Sequence, residues 1–365
     1  TKYDCIVIGA GIQGSFTAYH LAKHRKKTLL LEQFPLPHSR GSSHGQTRII
    51  RRAYAEHFYT DMMEECYQLW AELEKESGTQ LYRKTGLLVL AKSGNEEYET
   101  VCKNMTEKQI PWENLSPAEM KVRYPGLFLS PGEVACCDIN GGVLYADKAL
   151  RAVQMLFKQM GGVIRDGEKV MHIKPGPVVT VTTNSSIYEA DGIVITAGPW
   201  AQKVLRPLGL QLPLFLHLIV FWDTPKDPKI YFTTFIAKVF ILYPYAYLEY
   251  LLQICFHGGN EADPEERDLK VQNPEIQDIA KLSSFISRYI PGLHPRPAVV
   301  EQCMYTNTPD ENFILDHHPL HKNIVIGAGF SGHGFKLSPV VGKILSELCT
   351  GEKESYDLKP FRISR

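Results

Sequence analysis

The sequence carries no net charge. Its 40 basic and 40 acidic side chains cancel, so no excess field exists to hold a polyanion such as nucleic acid or an anionic membrane surface. Neither is expected as a partner, which leaves small molecules. None of the eight cysteines (Cys5, Cys66, Cys102, Cys136, Cys137, Cys255, Cys303, Cys349) stands in a CxxC pair. That spacing speaks against a zinc site and a disulfide framework and suits a reducing compartment. No metal is expected. The basic, apolar and small-residue succession of a secretory signal is missing too, so an intracellular address is expected. Long apolar runs are lacking. The stretch 231–256 is rich in Phe, Tyr, Ile and Leu, yet Lys238, Pro244, Glu249 and Gln253 interrupt it. Its longest uncharged run, 239–248, is far below the roughly 20 residues of a membrane span, so buried aromatic strands are expected there.

What is present is enough chain, 365 residues at 44% hydrophobic, for two domains or one large α/β unit with an insertion. Cys5-Ile6-Val7-Ile8 is a continuous apolar run of the kind a parallel strand shows when both its faces are covered. Gly9-Ala10-Gly11-Ile12-Gln13-Gly14 follows, then Ala18, Leu21 and Ala22 at helical spacing, then the strand-like Thr28–Glu32. This is one βαβ unit carrying GxGxxG in its proper context. Gly9 permits the tight turn, Gly11 lets backbone approach a pyrophosphate, and Gly14 lets helix and strand pack closely, while free helix N–H groups receive the anion. Glu32 would accept from a ribose 2′-hydroxyl. The motif alone leaves FAD and NAD both open.

Further along, Phe58, Met62, Cys66, Leu69 and Leu73 mark an amphipathic helix. From about Lys84 the texture changes to short segments broken by Gly and Pro. Helix and strand alternation returns at 146–213, and a second interruption spans 214–300. Apolar runs ending in glycine turns recur at 192–198 and 323–329. The division expected is a nucleotide domain in three pieces, 1–84, 146–213 and 301–365, interrupted by a sheet-rich domain at 85–145 and 214–300. An N-terminal motif whose domain is completed after two long excursions favours FAD. The terminal stretch Gly327–Lys336 holds four glycines just ahead of an expected helix. Such an end would offer backbone donors and positive dipole to a flavin's N1 and C2 carbonyl.

These residues resemble the monomeric sarcosine oxidase family of FAD-dependent amine oxidases. The likeness rests on the opening glycine motif, Gly41-Ser42-Ser43-His44-Gly45-Gln46-Thr47-Arg48-Ile49-Ile50-Arg51, the Ala197-Gly198-Pro199-Trp200 turn, Cys303-Met304-Tyr305-Thr306-Asn307-Thr308-Pro309-Asp310, and the terminal glycines ending in Lys336. Together these cover about 1–213 and 257–365. The resemblance implies an α/β fold of the D-amino-acid-oxidase-like kind, with a discontinuous Rossmann-type FAD-binding domain and an inserted α+β substrate domain. It implies a thioether from Cys303 to the flavin 8α carbon. It assigns the substrate carboxylate to Arg51 and Lys336, where a planar fork and a point charge act together. Arg48 is placed beside the flavin ring, and His44, Thr47, Tyr305 and His257 around the flavin or substrate cavity. Ile12, Gln13, Ser43, Val170, Gly329, Gly332 and Lys336 itself are implied as cofactor contacts. The resemblance further implies a peroxisomal monomer.

The activity expected is oxidation of a small secondary amino acid (sarcosine, L-pipecolate or L-proline) to an imine, with O2 reduced to H2O2. One block departs from the family pattern. Between Pro213 and Phe256 the substrate-lining strands are not recognisable, and Gln253 stands where the family's oxygen-activating lysine is expected. A neutral amide lacks the charge that stabilises superoxide. Either oxygen reactivity is reduced or Lys238 serves from another register. Two alternatives therefore stand beside the oxidase: a dehydrogenase passing electrons to a protein acceptor, and a flavin-binding protein without turnover.

Overall fold

A computed structural model describes residues 2–225, 234–237, 240–244, 251–256, 260–267, 273–296 and 299–365, with side-chain surroundings left aside at 218–260 and 271–276. The first apolar run becomes the strand Lys2–Ile8, parallel to Thr28–Leu31 on one side and to Ile187–Ile195 on the other. Its side chains alternate between two cores. Cys5 and Val7 pack with the helices Ile12–Lys23, His57–Ser77, Ala146–Gln159 and Ser338–Thr350, whereas Ile6 and Ile8 join Ile193, Ile195, Leu205 and Leu208 on the opposite face. With both faces covered, polar residues have no place in the strand, which is why the run is unbroken.

The strand Ile324–Ala328 adds in parallel to Ile187–Ile195 and receives Ile314–His317 antiparallel. Val163–Arg165 closes the other edge, giving an eight-stranded sheet. The chain therefore completes its nucleotide-binding sheet only near its C-terminal end.

A second sheet of nine strands is built from Leu87–Lys92, Trp112–Leu115, Glu133–Asp138 and strands between Phe215 and Asn307. The helix Asn273–Tyr289 lays Leu282, Phe285 and Ile286 against Leu88, Leu90 and Cys137 of this sheet. Its long strand Val299–Asn307 pairs with Phe215–Pro225 in a register that sets Cys303 opposite Ile219 and Tyr305 opposite His217. The expected domain limit at 300/301 thus falls inside one strand. Three short strands, Thr47–Ile50, Tyr82–Lys84 and Gly142–Tyr145, form a separate small sheet.

The residues that follow three of the parallel strands, Gly9, Glu32 and Thr196, line one crevice. In open α/β sheets this is where ligands bind.

Candidate active site

The crevice opens into a cavity of about 990 Å³ whose lining includes Glu32, Val170 and Trp200 as well as Arg51, Tyr305 and Lys336. Beside Glu32, whose carboxylate meets the turn, Gly9 has φ +101°, and a Cβ there would lie 2.5 Å from the Thr196 carbonyl oxygen. Only glycine makes this turn. The helix Ile12–Lys23 starts directly after it, with no side-chain cap from Gly11. Instead Ser43 Oγ accepts from the Ile12 N–H at 3.0 Å. The Glu32 carboxylate, 7% exposed, accepts from Ala10 N–H at 2.9 Å and Phe34 N–H at 3.1 Å. Gln13 donates to the Gly334 carbonyl at 2.9 Å, and its own Oε1 is buried without a partner. A glycine turn, a helix N-terminus, a cavity-lining carboxylate and a cavity of this size fit a dinucleotide with an ADP half.

Arg48, also in the cavity lining, sits in the strand Thr47–Ile50 and donates to the carbonyls of Thr47, Ser42 and His44 at 2.7, 2.9 and 2.7 Å. Its guanidinium is thereby fixed. Arg51 follows the strand and lies over the Tyr54 ring, 4.0 Å from the centroid. Lys336 Nζ lies 5.7 Å from the same centroid and donates to the His333 carbonyl at 3.2 Å. Among the described residues neither cation forms an ion pair with a carboxylate. Lys336 is 6% exposed, and burial, followed by the charges of Arg51 and Arg48, holds its ammonium well below the ordinary lysine value of 10.5. Two cations that line one cavity and form no ion pair among the described residues make a site for an anion.

Cys303 is 3% exposed and lines the cavity, its thiol directed at the Ser42 carbonyl 3.8 Å away. Burial pushes the thiol up, while Arg48 and Arg267 pull it down less strongly. His44 bridges the carbonyls of Gly41 at 2.8 Å and Gln302 at 3.2 Å. Burial and the same two arginines lower its pKa to about 4, so the ring is neutral and donates to only one carbonyl. Tyr305 packs against Gly332, where a Cβ would collide with its ring.

Three of the expected cofactor contacts do not reach the cavity wall. Gly14 lies where the helix crosses the first strand turn, and a Cβ there would collide with the Gly9 carbonyl oxygen, so its role is packing. Thr47 is fully buried, paired with Tyr145 in the small sheet. Gly329 has φ +65° and turns the chain against Thr308. The terminal glycines are likewise not the start of a helix. A 3-10 turn, Phe335–Leu337, intervenes, and the helix begins only at Ser338. His257 and Lys238 lie outside the described residues. Gln253 lies in the strand Leu251–Phe256, in register with Asp223 and Tyr243.

Several residues at the site are missing from the sequence reading. Tyr54 supports both cations and its hydroxyl meets His333 Nδ1 at 3.2 Å. Trp70 Nε1 donates to the Lys336 carbonyl at 3.0 Å and fixes that turn. Asp138, fully buried, accepts from the N–H groups of Arg52 at 2.6 Å and Ala53 at 3.2 Å, locking the bend after Arg51. Tyr54 alone had a local signal, its nearness to Arg51 in the chain. The others come from segments far away in sequence.

A family model described as DAO, FAD dependent oxidoreductase, matches residues 4–348. Peroxisomal sarcosine oxidase of Homo sapiens is 56% identical over 374 residues, covering 100% of this chain and 96% of that protein. Monomeric sarcosine oxidase of Bacillus sp. (strain B-0618) is 36% identical, covering 100% and 96%. The chain belongs to the sarcosine oxidase group of FAD-dependent oxidoreductases. Its fold agrees with the solved structure of L-proline dehydrogenase from P. horikoshii, with a TM-score of 0.88 at 22% identity, covering 100% of this chain and 97% of that one. An FAD-dependent oxidoreductase accounts for the crevice, whose lining holds Glu32 and both cations.

Proposed function

We propose that this flavoenzyme oxidises a small secondary amino acid, sarcosine, L-pipecolate or L-proline, to an imine, with O2 as acceptor and H2O2 as product. The observation that carries the reading is that Arg51 and Lys336 both line the cavity and both lie against the Tyr54 ring, 4.0 and 5.7 Å from its centroid. The Arg51 fork and the Lys336 ammonium would hold the substrate carboxylate between them. Fixing the carboxylate orients the α-carbon and restricts the amine to a few positions, and much of the rate enhancement expected follows from that orientation. Bound FAD supplies acceptance of a hydride equivalent from a carbon next to nitrogen. Gly9, Gly11, Ile12, Gln13, Ser43 and Glu32 would hold its ADP half, and Val170 would line that end. Arg48, anchored on three carbonyls, would keep a fixed positive charge near the ring, which favours the reduced anionic form. His44, Tyr305 and Gly332 would shape the wall, with His257 as a further cavity residue. Covalent attachment through Cys303, a monomeric state, a peroxisomal address and the division into an FAD domain with an inserted substrate domain belong to the same proposal. The names of the relatives support the address and the monomeric state, and the place of Cys303 in the cavity wall supports the attachment.

The test is anaerobic addition of sarcosine, pipecolate or proline to the purified holoprotein. Bleaching of the flavin by at least one supports the reading, and a flavin that stays oxidised with all three rejects it. Gln253 favours a second reading, transfer of electrons to a protein acceptor. Peroxide formed in step with substrate loss in air supports the oxidase, whereas turnover seen only with an artificial acceptor supports the dehydrogenase.

A further inference from the structure

The segment that precedes the Thr47–Ile50 strand crosses the cavity beside Cys303, and two guanidinium groups hold its carbonyls. Arg48 takes those of Ser42 and His44. The second is Arg267, from a distant part of the chain. It is 6% exposed, and its Nη1 donates to the Ser39 carbonyl and, at 3.5 Å, to that of Gly41. Its Nη2 donates at 2.8 Å to the carbonyl of Gln302, the residue before Cys303. His44 reaches the same two carbonyls, Gly41 and Gln302, from its own ring. Arg267 therefore joins the 39–41 turn to the strand that carries the thiol. Burying an arginine is costly unless its donors are satisfied, and these carbonyls take three of its hydrogen bonds.

We propose that Arg267 is a positioning residue for the flavin tether: it sets the Cys303 sulfur against the 39–44 segment and stabilises the thiolate that attacks the cofactor. The inference rests on the covalent attachment proposed above. In the attachment step one C–S bond forms, while the S–H bond and one C–H bond of the flavin 8-methyl group break. The two electrons and two protons so released reduce the flavin itself, and O2 then removes them as H2O2. The nucleophile is the thiolate. In a buried site its formation is opposed by desolvation, and the guanidinium charges of Arg48 and Arg267 counter that cost. Proton loss removes the donor to Ser42, leaving the carbonyl to Arg48, which already donates to it.

The experiment uses the full chain purified with little flavin and then supplied with FAD. Non-covalent binding is followed by quenching of flavin fluorescence, and attachment by flavin that stays with acid-precipitated protein. Wild type should attach its flavin. Arg267→Met should bind FAD but attach it about tenfold more slowly, the change in thiolate population that one pKa unit makes. Because burial holds the Cys303 thiol above its ordinary value, the deficit should stay constant through the ordinary thiol range and shrink only as pH is raised beyond it, and Arg267→Lys should recover most of the rate. Attachment at the wild-type rate in Arg267→Met, or a deficit that does not change with pH, overturns the inference. If the Met variant does not accumulate as folded protein, Arg267→Gln, which keeps donors and removes charge, takes its place with the same expectation. Wild-type flavin released wholly by acid rejects the tether itself, and the inference with it, whereas bleaching by substrate tests the oxidase reading separately.

Discussion

Replacing Lys336 by Met should weaken substrate binding and strengthen the fold at the same time. The side chain is 6% exposed, and its ammonium has one hydrogen bond, to the His333 carbonyl, and one aromatic ring for company. A bound carboxylate would add a charge-assisted hydrogen bond worth about 1.5–3 kcal/mol. Its loss corresponds to about 10- to 150-fold weaker binding of the amino acid. Without substrate the balance reverses, because the variant no longer buries a cation beside Arg51 and Arg48. A methionine of similar length should stabilise the free protein by about 1–2 kcal/mol, and Trp70 still holds the backbone of the turn. The linkage has a definite sign. The folded Lys336 value is depressed, so between it and 10.5 the unfolded chain binds more protons, and wild-type stability rises with pH across that window. The Met variant should lack this contribution. Calorimetry of the holoprotein with and without substrate, together with titration by a simple carboxylate inhibitor, reads both effects. A variant with lower Tm and unchanged affinity would refute the reasoning and make Lys336 a packing residue.

Tyr54→Leu should raise KM for the amino acid about 5- to 30-fold, the equivalent of about 1–2 kcal/mol of lost cation–π support, whereas Tyr54→Phe, which keeps the ring under Arg51, should stay within a few-fold; equal effects in steady-state kinetics would place the contribution in the hydroxyl and its His333 contact. His20 and His44 are both lowered to about 4, chiefly by burial. Below the ordinary value of 6.5 the unfolded chain takes up protons that the folded chain refuses, so stability should fall as pH drops towards 4, at up to about 1.4 kcal/mol per pH unit for each histidine. Urea midpoints measured across that window should show the slope, and His20→Phe should flatten it. Gly14→Ala should cost about 1–3 kcal/mol by overpacking, because its Cβ meets the Gly9 carbonyl oxygen and, at 2.5 Å, Thr196 Oγ1. A melting curve matching wild type, with FAD affinity intact, would contradict that geometry.

The nucleotide half of this protein was legible because its determinants are local. The unbroken run at Cys5–Ile8, the glycines that follow and the acid at Glu32 occupy one βαβ unit, and strand, turn and helix each follow from neighbours in sequence. The same locality made the helix His57–Ser77 and the strand Ile324–Ala328 readable. Expectations slipped where a pattern has two structural outcomes. Glycines ahead of an apolar helix suggested a helix N-terminus, but Gly332 and Gly334 leave room for the Tyr305 ring and the Phe330 side chain, and the helix starts later. Thr47 and Gly329 sat in the right motifs and turned out to pack against the fold.

Sequence alone therefore determined the dinucleotide turn, the order of pieces and, through resemblance, which cations to inspect. Tertiary structure decided how those cations are held. Tyr54 against Lys336, Trp70 on the Lys336 carbonyl, Asp138 at the bend and Arg267 on Gln302 are contacts between distant segments. No local periodicity encodes them. They exist because two sheets formed far apart in the chain meet across one crevice, where desolvation makes each charge depend on the few groups placed around it.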